Sequence, residues 1–151
     1  MAKRDTVTDR LPEWKLQAAI AAHLDSRIAI EHPFAYAASL EGVMGNLNVY
    51  QTQLASATGV KRGEPDLRLY FDGGRIVFVE LKHTLGKLTQ SQKDRIPILR
   101  GFGHIVHIVF AETESEARDK VSAIVDLELA NPGASATLES ASWWPKERKA
   151  K

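Results

Sequence analysis

The sequence predicts an α/β domain, a central mixed β-sheet flanked by helices, and three observations lead there. Apolar residues recur at helical spacing near both ends of the chain. Two segments that alternate polar and apolar, Asp66 to Phe71 and Arg75 to Lys82, are separated by Asp72-Gly73-Gly74. A mostly apolar, β-branched run from His104 to Phe110 reads as a strand covered on both faces. Only the two central strands are joined by a tight turn, so the sheet is expected to be mixed.

Pro12 fits the first turn of a helix, and Leu16, Ile20 and Leu24 give Pro12 to about Arg27 an amphipathic period on which Glu13 and Gln17 are neighbours. His32 to Gly45 holds no sustained period and reads as loop or short extended chain. Asn46 is expected to cap a helix carrying Leu47, Tyr50 and Leu54, ended by Gly59. The hairpin follows, its turn rich in glycine. Thr89 and Gln92 then form a capping-box pattern that opens a helix with Gln92, Ile96 and Leu99 on one face. Pro97 is expected to shorten or kink that helix, and Gly101 and Gly103 to stop it. Thr113 and Glu116 repeat the pattern before a helix with Val121, Ile124, Val125 and Leu129, which ends ahead of Asn131-Pro132-Gly133. One domain over 1–133 is expected, with a tail over 134–151 that packs on it or enters a dimer contact through Trp143 and Trp144.

A length of 151 residues suits one core. The absence of cysteine excludes disulfides and thiolate metal sites, which leaves oxygen or imidazole ligands and points to hard cations such as Mg²⁺. The polar N-terminus resembles no signal peptide and no apolar run approaches a membrane span, so a cytoplasmic protein with no membrane partner is expected. The net charge of +1 hides an uneven distribution. Lys82, Lys87, Lys93, Arg95 and Arg100 against Asp94 give +4 over 82–100, whereas 112–130 carries six acids against Arg118 and Lys120, or −4. The first zone suits phosphates; the second reads as solvated.

Register makes the hairpin more than a scaffold. Opposed residues in an antiparallel pair have numbers of constant sum, and a turn centred on Gly73 sets that sum at 146. Phe71 then faces Arg75, and Asp66 faces Glu80 on the same side of the sheet. Lys82 shares that side, two residues beyond Glu80, while Val79 and Leu81 point to the other. Facing acids repel, and one lysine neutralises only one of them. A divalent cation would neutralise the remainder, and Mg²⁺ is held by one or two carboxylates, waters and substrate phosphates.

These residues resemble a known pattern. Glu64-Pro65-Asp66 followed by Glu80-Leu81-Lys82 is similar to the P-D and E-x-K signature of the restriction-endonuclease-like nuclease superfamily. With Gly59-Val60-Lys61-Arg62-Gly63 ahead of it and Gly86-Lys87-Leu88-Thr89, Gln92 and Gly103 behind, the chain from about Glu13 to Phe110 resembles the virus-type replication-repair (VRR-NUC) nucleases. The resemblance implies an α-β-β-β-α-β core, Mg²⁺ or Mn²⁺ as cofactor, and DNA as partner, cut endonucleolytically and in many members at branches, junctions or flaps. It also implies a homodimer and a phage or plasmid replication and repair setting. By the same resemblance Asp66 and Glu80 bind the metal, with Glu13 and the backbone of Leu81 as further ligands, and Asp66, Glu80, Lys82 and Gln92 form the catalytic set. Lys82 is read as positioning and charge-stabilising rather than as a base. Lys61, Arg62, His83, Lys87 and Lys93 are the expected nucleic-acid contacts.

Plainer readings compete at single positions. A capping box explains Gln92 without catalysis, and the helix dipole favours an acid at Glu13 regardless of function. An exposed ion pair would explain Glu80 and Lys82 singly, but not their joint spacing with Asp66. His104 and His107, on an apolar strand, read as structural. Pro97, and Ser39-Leu40-Glu41-Gly42 where relatives often carry an asparagine-glycine turn, depart from the family pattern. Three rivals remain open: a sequence-specific restriction-type nuclease, which would need base-reading side chains, a silent DNA- or junction-binding module, and an acidic pair that binds a structural metal, which would give metal-dependent thermal stability without cleavage.

Overall fold

In the computed structural model, residues 11–31, 34–40 and 47–140 are described. Helix α1 (Glu13–Glu31) leads into strand β1 (Phe34–Ala38), helix α2 (Val49–Ala57) and the hairpin of β2 (Leu67–Phe71) and β3 (Arg75–His83). Helix α3 (Gln90–Gly101), strand β4 (Ile105–Ala111), helix α4 (Glu114–Ala130) and a 3-10 turn (Ala134–Ser140) complete it. The sheet order is β1-β2-β3-β4, antiparallel at the first two pairings and parallel at β3 and β4. This is the mixed sheet with flanking helices that the sequence predicts. Phe71 faces Arg75 and Leu67 faces Val79, the expected register. The turn between them, Asp72–Gly74, runs through Gly73 at φ +76°, a backbone region that glycine enters without a Cβ clash.

Alternation on the strands sorts two apolar sets onto opposite faces of the sheet. On one, Leu67, Leu69, Val77, Val79, Leu81, Val109 and Ala111 pack with Leu16, Ile20 and Leu24 of α1 and Val121, Ile124 and Val125 of α4. On the other, Phe78 and Val106 pack with Ile96 and Leu99 of α3. Each such buried side chain contributes about 1.5–3 kcal/mol, so the larger set dominates the stability of the fold. Helix α3 covers only part of its face, leaving Arg68 and Tyr70 of β2 half-buried. No helix among the described residues is long and apolar enough to cross a membrane.

Strand β1 takes the short extended form among the two expected for that stretch; it is an edge strand with only Phe34 buried, and its alanines offer no period. Three local expectations are corrected. Helix α1 runs on to Glu31, since nothing between Arg27 and Glu31 breaks a helix before Pro33 does. The cap of α2 is Asn48, not Asn46: Asn48 Oδ1 accepts from the Gln51 amide at 2.8 Å and Gln51 Oε1 accepts from the Asn48 amide at 3.0 Å. Its Tyr50 and Leu54 are exposed, and Ala55 is its buried residue. Helix α3 continues through Pro97 to Gly101. Proline removes the donor to the Lys93 carbonyl, but both residues lie on the exposed side, where solvent can reach that carbonyl, while Ile96 and Leu99 hold the helix to the sheet. The segment with Trp143 and Trp144 lies outside the described residues.

Candidate active site

The site forms at the end of β3, where the β2–β3 ladder stops. Asp66 stands one step beyond the last paired residues, and its side chain substitutes for the ladder: Oδ2 accepts from the Leu81 amide at 2.7 Å. Its carbonyl accepts from the Ser39 amide at 2.9 Å, so β1 and β3 together fix it. The approach to Asp66 needs Gly63. At φ +79° that residue lies against the start of α3, where a Cβ would come 2.2 Å from the Ser91 carbonyl oxygen. Only a residue without a side chain lets 63–66 and α3 close on each other.

Helix α3 supplies Gln92 through its cap. Gln92 Oε1 accepts from the Thr89 amide at 2.8 Å and Thr89 Oγ1 accepts from the Gln92 amide at 3.3 Å. The amide end of the same side chain donates to Glu80 Oε1 at 2.6 Å. One glutamine therefore caps a helix and orients a carboxylate; the two readings of Gln92 are compatible. Lys82 Nζ lies 3.5 Å from Glu80 Oε1 and 3.7 Å from Glu13 Oε2. Glu13 arrives from α1 on the far side of the sheet, and its Oε1 accepts from the His83 amide at 3.4 Å. Gly86 keeps room for it, since a Cβ there would stand 3.2 Å from that oxygen.

Glu80 is 1% exposed and Lys82 5%. Burial and then the Asp66 charge push the Glu80 carboxyl up, Lys82 pulls it back and Glu13 adds a smaller upward push, which together leave it at about 8. Glu80 Oε2 is buried and has no hydrogen-bond partner among the described residues. An orphaned carboxylate oxygen beside a second acid is what a cation would satisfy. Among the described residues no three His, Asp or Glu side chains converge as a cage. The donor set therefore fits an ion such as Mg²⁺ that takes two carboxylates and fills its remaining positions from water or phosphate, and it does not fit one that needs an all-protein shell. Leu81 buries its side chain and gives its amide to Asp66.

Of the expected nucleic-acid contacts, Lys61, Arg62, Lys87 and Lys93 are exposed around this end of the sheet. His83 is half-buried with Nδ1 accepting from the Leu85 amide at 3.3 Å, which turns that nitrogen into its own loop. Sequence reasoning missed Arg68, took Arg95 only as part of the basic stretch over 82–100, and gave Glu64 no role of its own. Glu64 is buried between the two guanidinium groups, with Arg68 at 3.2 Å on Oε1 and Arg95 at 2.8 Å on Oε2. It also missed a polar network on the opposite face: Glu128, 1% exposed, pairs with Arg75 and accepts from the Ser135 hydroxyl at 2.5 Å, and His107 Nε2 lies 3.0 Å from that hydroxyl. The hydroxyl's one hydrogen goes to Glu128, so His107 Nε2 carries a proton and donates. Burial lowers His107 to about 4. Burial would raise Glu128, but its hydrogen bonds from Ser135 and Gly133 together with Arg75 bring it below the usual carboxylate range. No sequence signal marks this network, because Glu128 reads as one more acid of a solvated helix.

No family model matches the chain, and no curated protein sequence matches it. A solved structure described as a VRR_NUC domain protein is similar to it, with a TM-score of 0.51 at 17% identity over 81% of this chain and 91% of that one. The likeness is one of fold. This chain has the fold of a VRR_NUC domain.

Proposed function

We propose that the protein is a metal-dependent DNA endonuclease, in which Asp66 and Glu80 hold Mg²⁺ or Mn²⁺ at the end of β3. One observation carries the reading: Glu80 is buried beside Asp66 and Lys82 with an oxygen that finds no hydrogen-bond partner among the described residues. A fold maintained for stability alone gains nothing from such a group, whose burial uncompensated costs several kcal/mol. The fold likeness to a VRR_NUC domain and the P-D and E-x-K residues agree with it.

When bound, the ion supplies Lewis-acid polarisation of a phosphodiester and lowers the pKa of water. The chain's own residues do the rest. Asp66, locked by the Leu81 and Ser39 amides, presents its carboxylate without reorganising. Gln92 fixes the rotamer of Glu80 through Oε1, and Glu80 would hold the ion through the oxygen left over. The Lys82 ammonium, held between Glu80 and Glu13, faces the growing negative charge of the phosphate and positions the attacking water. Lys61, Arg62, Lys87 and Lys93 contact the strand backbone, which positions DNA without reading its sequence. The proposal extends to branched, junction or flap DNA as the preferred substrate.

Labelled four-way junction, flap, duplex and single-stranded DNA, incubated with Mn²⁺ or Mg²⁺, test it against Asp66→Ala and a chelator control. Cutting that disappears in both controls is the expected result. Persistent cutting by Asp66→Ala would overturn the site, and binding without cleavage under either metal would overturn the enzyme.

A further inference from the structure

Beside the metal-ligand pair lies a second feature that the proposed chemistry does not use. A cleft of about 290 Å³ opens between the end of β1, the turn after α2, and the side chains of Glu64, Arg68 and Arg95. Ser39, whose amide anchors Asp66, lines it, so the cleft adjoins the site directly. Glu64 precedes Asp66 by two residues, at most about 7 Å of extended chain.

Among the described residues the charges in this cleft do not balance. One buried carboxylate, Glu64, is shared by two guanidinium groups, and Lys61 adds a third cation to the lining. An ion pair built for stability needs one arginine; two on one carboxylate leave a surplus of positive charge at the mouth of the cleft, which favours an anion there. The arginine side chains keep 35% and 31% of their surface exposed. Each has five N–H donors in a fixed fork, more than Glu64 occupies, and Glu64 holds both forks in place. Within the same lining the Ser39 hydroxyl is buried without a hydrogen-bond partner among the described residues. Two oriented guanidinium groups, an ammonium and a spare hydroxyl make a phosphate site.

We infer that the cleft formed by Ser39, Lys61, Arg68 and Arg95 binds a DNA phosphate next to the one cut at Asp66, with Glu64 as the positioning residue that holds the two arginines. The inference rests on the proposed nuclease reading for its placement, not for its chemistry. A strand whose scissile phosphate sits at Asp66 carries its neighbouring phosphate past the arginines, so the cleft sets the register of the strand and not its sequence.

Binding of labelled single-stranded and flap DNA by the full chain in chelator, across a salt series, tests it. Arg68→Gln and Arg95→Gln are each expected to weaken binding about 10-fold, the scale of one charge-assisted hydrogen bond, and the double variant to lower the slope of log affinity against log salt by about 0.7–0.9, the contribution of one phosphate, with each single variant lowering it by part of that. A single neutral methylphosphonate walked along the strand should cost the wild type affinity at one position beside the cut, and should cost the Arg68→Gln/Arg95→Gln variant nothing further there. Oligonucleotides with and without a terminal phosphate identify the source: a backbone phosphate leaves the effect unchanged, a terminal one removes it, and both sustain the site. Unchanged slopes in variants whose circular dichroism melts match the wild type would overturn it, as would equal losses at every methylphosphonate position. Should Arg68→Gln fail to fold, Arg95→Gln, on helix α3, and Lys61→Gln, at an exposed position, carry the same comparison. DNA binding with this signature but no cleavage would end the nuclease reading and leave the phosphate site; cleavage by the double variant with unaltered KM and salt slope would do the reverse.

Discussion

Glutamine is the isostere of a protonated glutamate, so Glu80→Gln keeps the neutral form of the site at every pH, and the difference between it and the wild type measures what the buried charge costs. An ordinary unfolded-state value of 4.5 and a folded-state value of about 8 mean that the folded protein binds the proton more tightly. Between these values the unfolded chain has lost its proton and the folded one has not, so metal-free wild-type stability falls as pH rises. The slope is about 1.36 kcal/mol per pH unit, which gives roughly 3 kcal/mol at pH 7 and on the order of 5 kcal/mol above pH 8, where the loss levels off. In a chain of this size 3 kcal/mol corresponds to roughly 6–12 °C in Tm. Urea unfolding in chelator at pH 5, 6, 7, 8 and 9 is the assay. The variant should be the more stable protein, by a margin that widens with pH to about 8. Adding Mg²⁺ should stabilise the wild type at pH 8 and leave the variant unmoved, since binding to the folded state alone raises its stability. Parallel curves for the two proteins from pH 5 to 9 would refute the reasoning, because they would mean that the carboxylate is not held in a medium that penalises its charge.

Three further outcomes follow from the same geometry. Gly63→Ala places a Cβ 2.2 Å from the Ser91 carbonyl oxygen at φ +79°, and the loss should exceed about 2 kcal/mol in denaturant unfolding, with DNA cleavage falling together with the fit of 63–66 against α3. Thr89→Ala removes one cap bond of α3 and should cost about 1 kcal/mol while leaving the Gln92 to Glu80 bond intact; cleavage at saturating metal should survive, whereas Gln92→Ala should lower it. On the opposite face, His107 titrates near 4 when folded and near 6.5 when unfolded, so the unfolded chain takes up its proton first. Wild-type stability should therefore drop by roughly 3 kcal/mol as pH falls from 6.5 to 4, and His107→Gln should flatten most of that fall when the two are compared by thermal melts.

What the sequence by itself determined is local. The hairpin register follows from a three-residue turn and a period of two, and those alone put Glu80 and Lys82 on one face and Val79 and Leu81 on the other. The cap of α3 follows from Thr89 and Gln92 three residues apart, and the helical stripes on α1 and α4 follow from spacing near 3.6. Patterns of this kind need no knowledge of what packs against them. Tertiary structure decided everything that depends on a partner far along the chain. Strand β1 exists because β2 offers it an edge, not because its alanines prefer to be extended. Glu13 reaches Lys82 from a helix on one side of the sheet and Gln92 reaches Glu80 from a helix on the other, a meeting that depends on the two layers closing at the end of β3. Glu64, Glu128 and His107 were the hardest to see. Polar residues in a sequence are assigned to water by default, and burial reverses that only where partners such as Arg95, Arg75 and Ser135 are brought within hydrogen-bond distance by the fold.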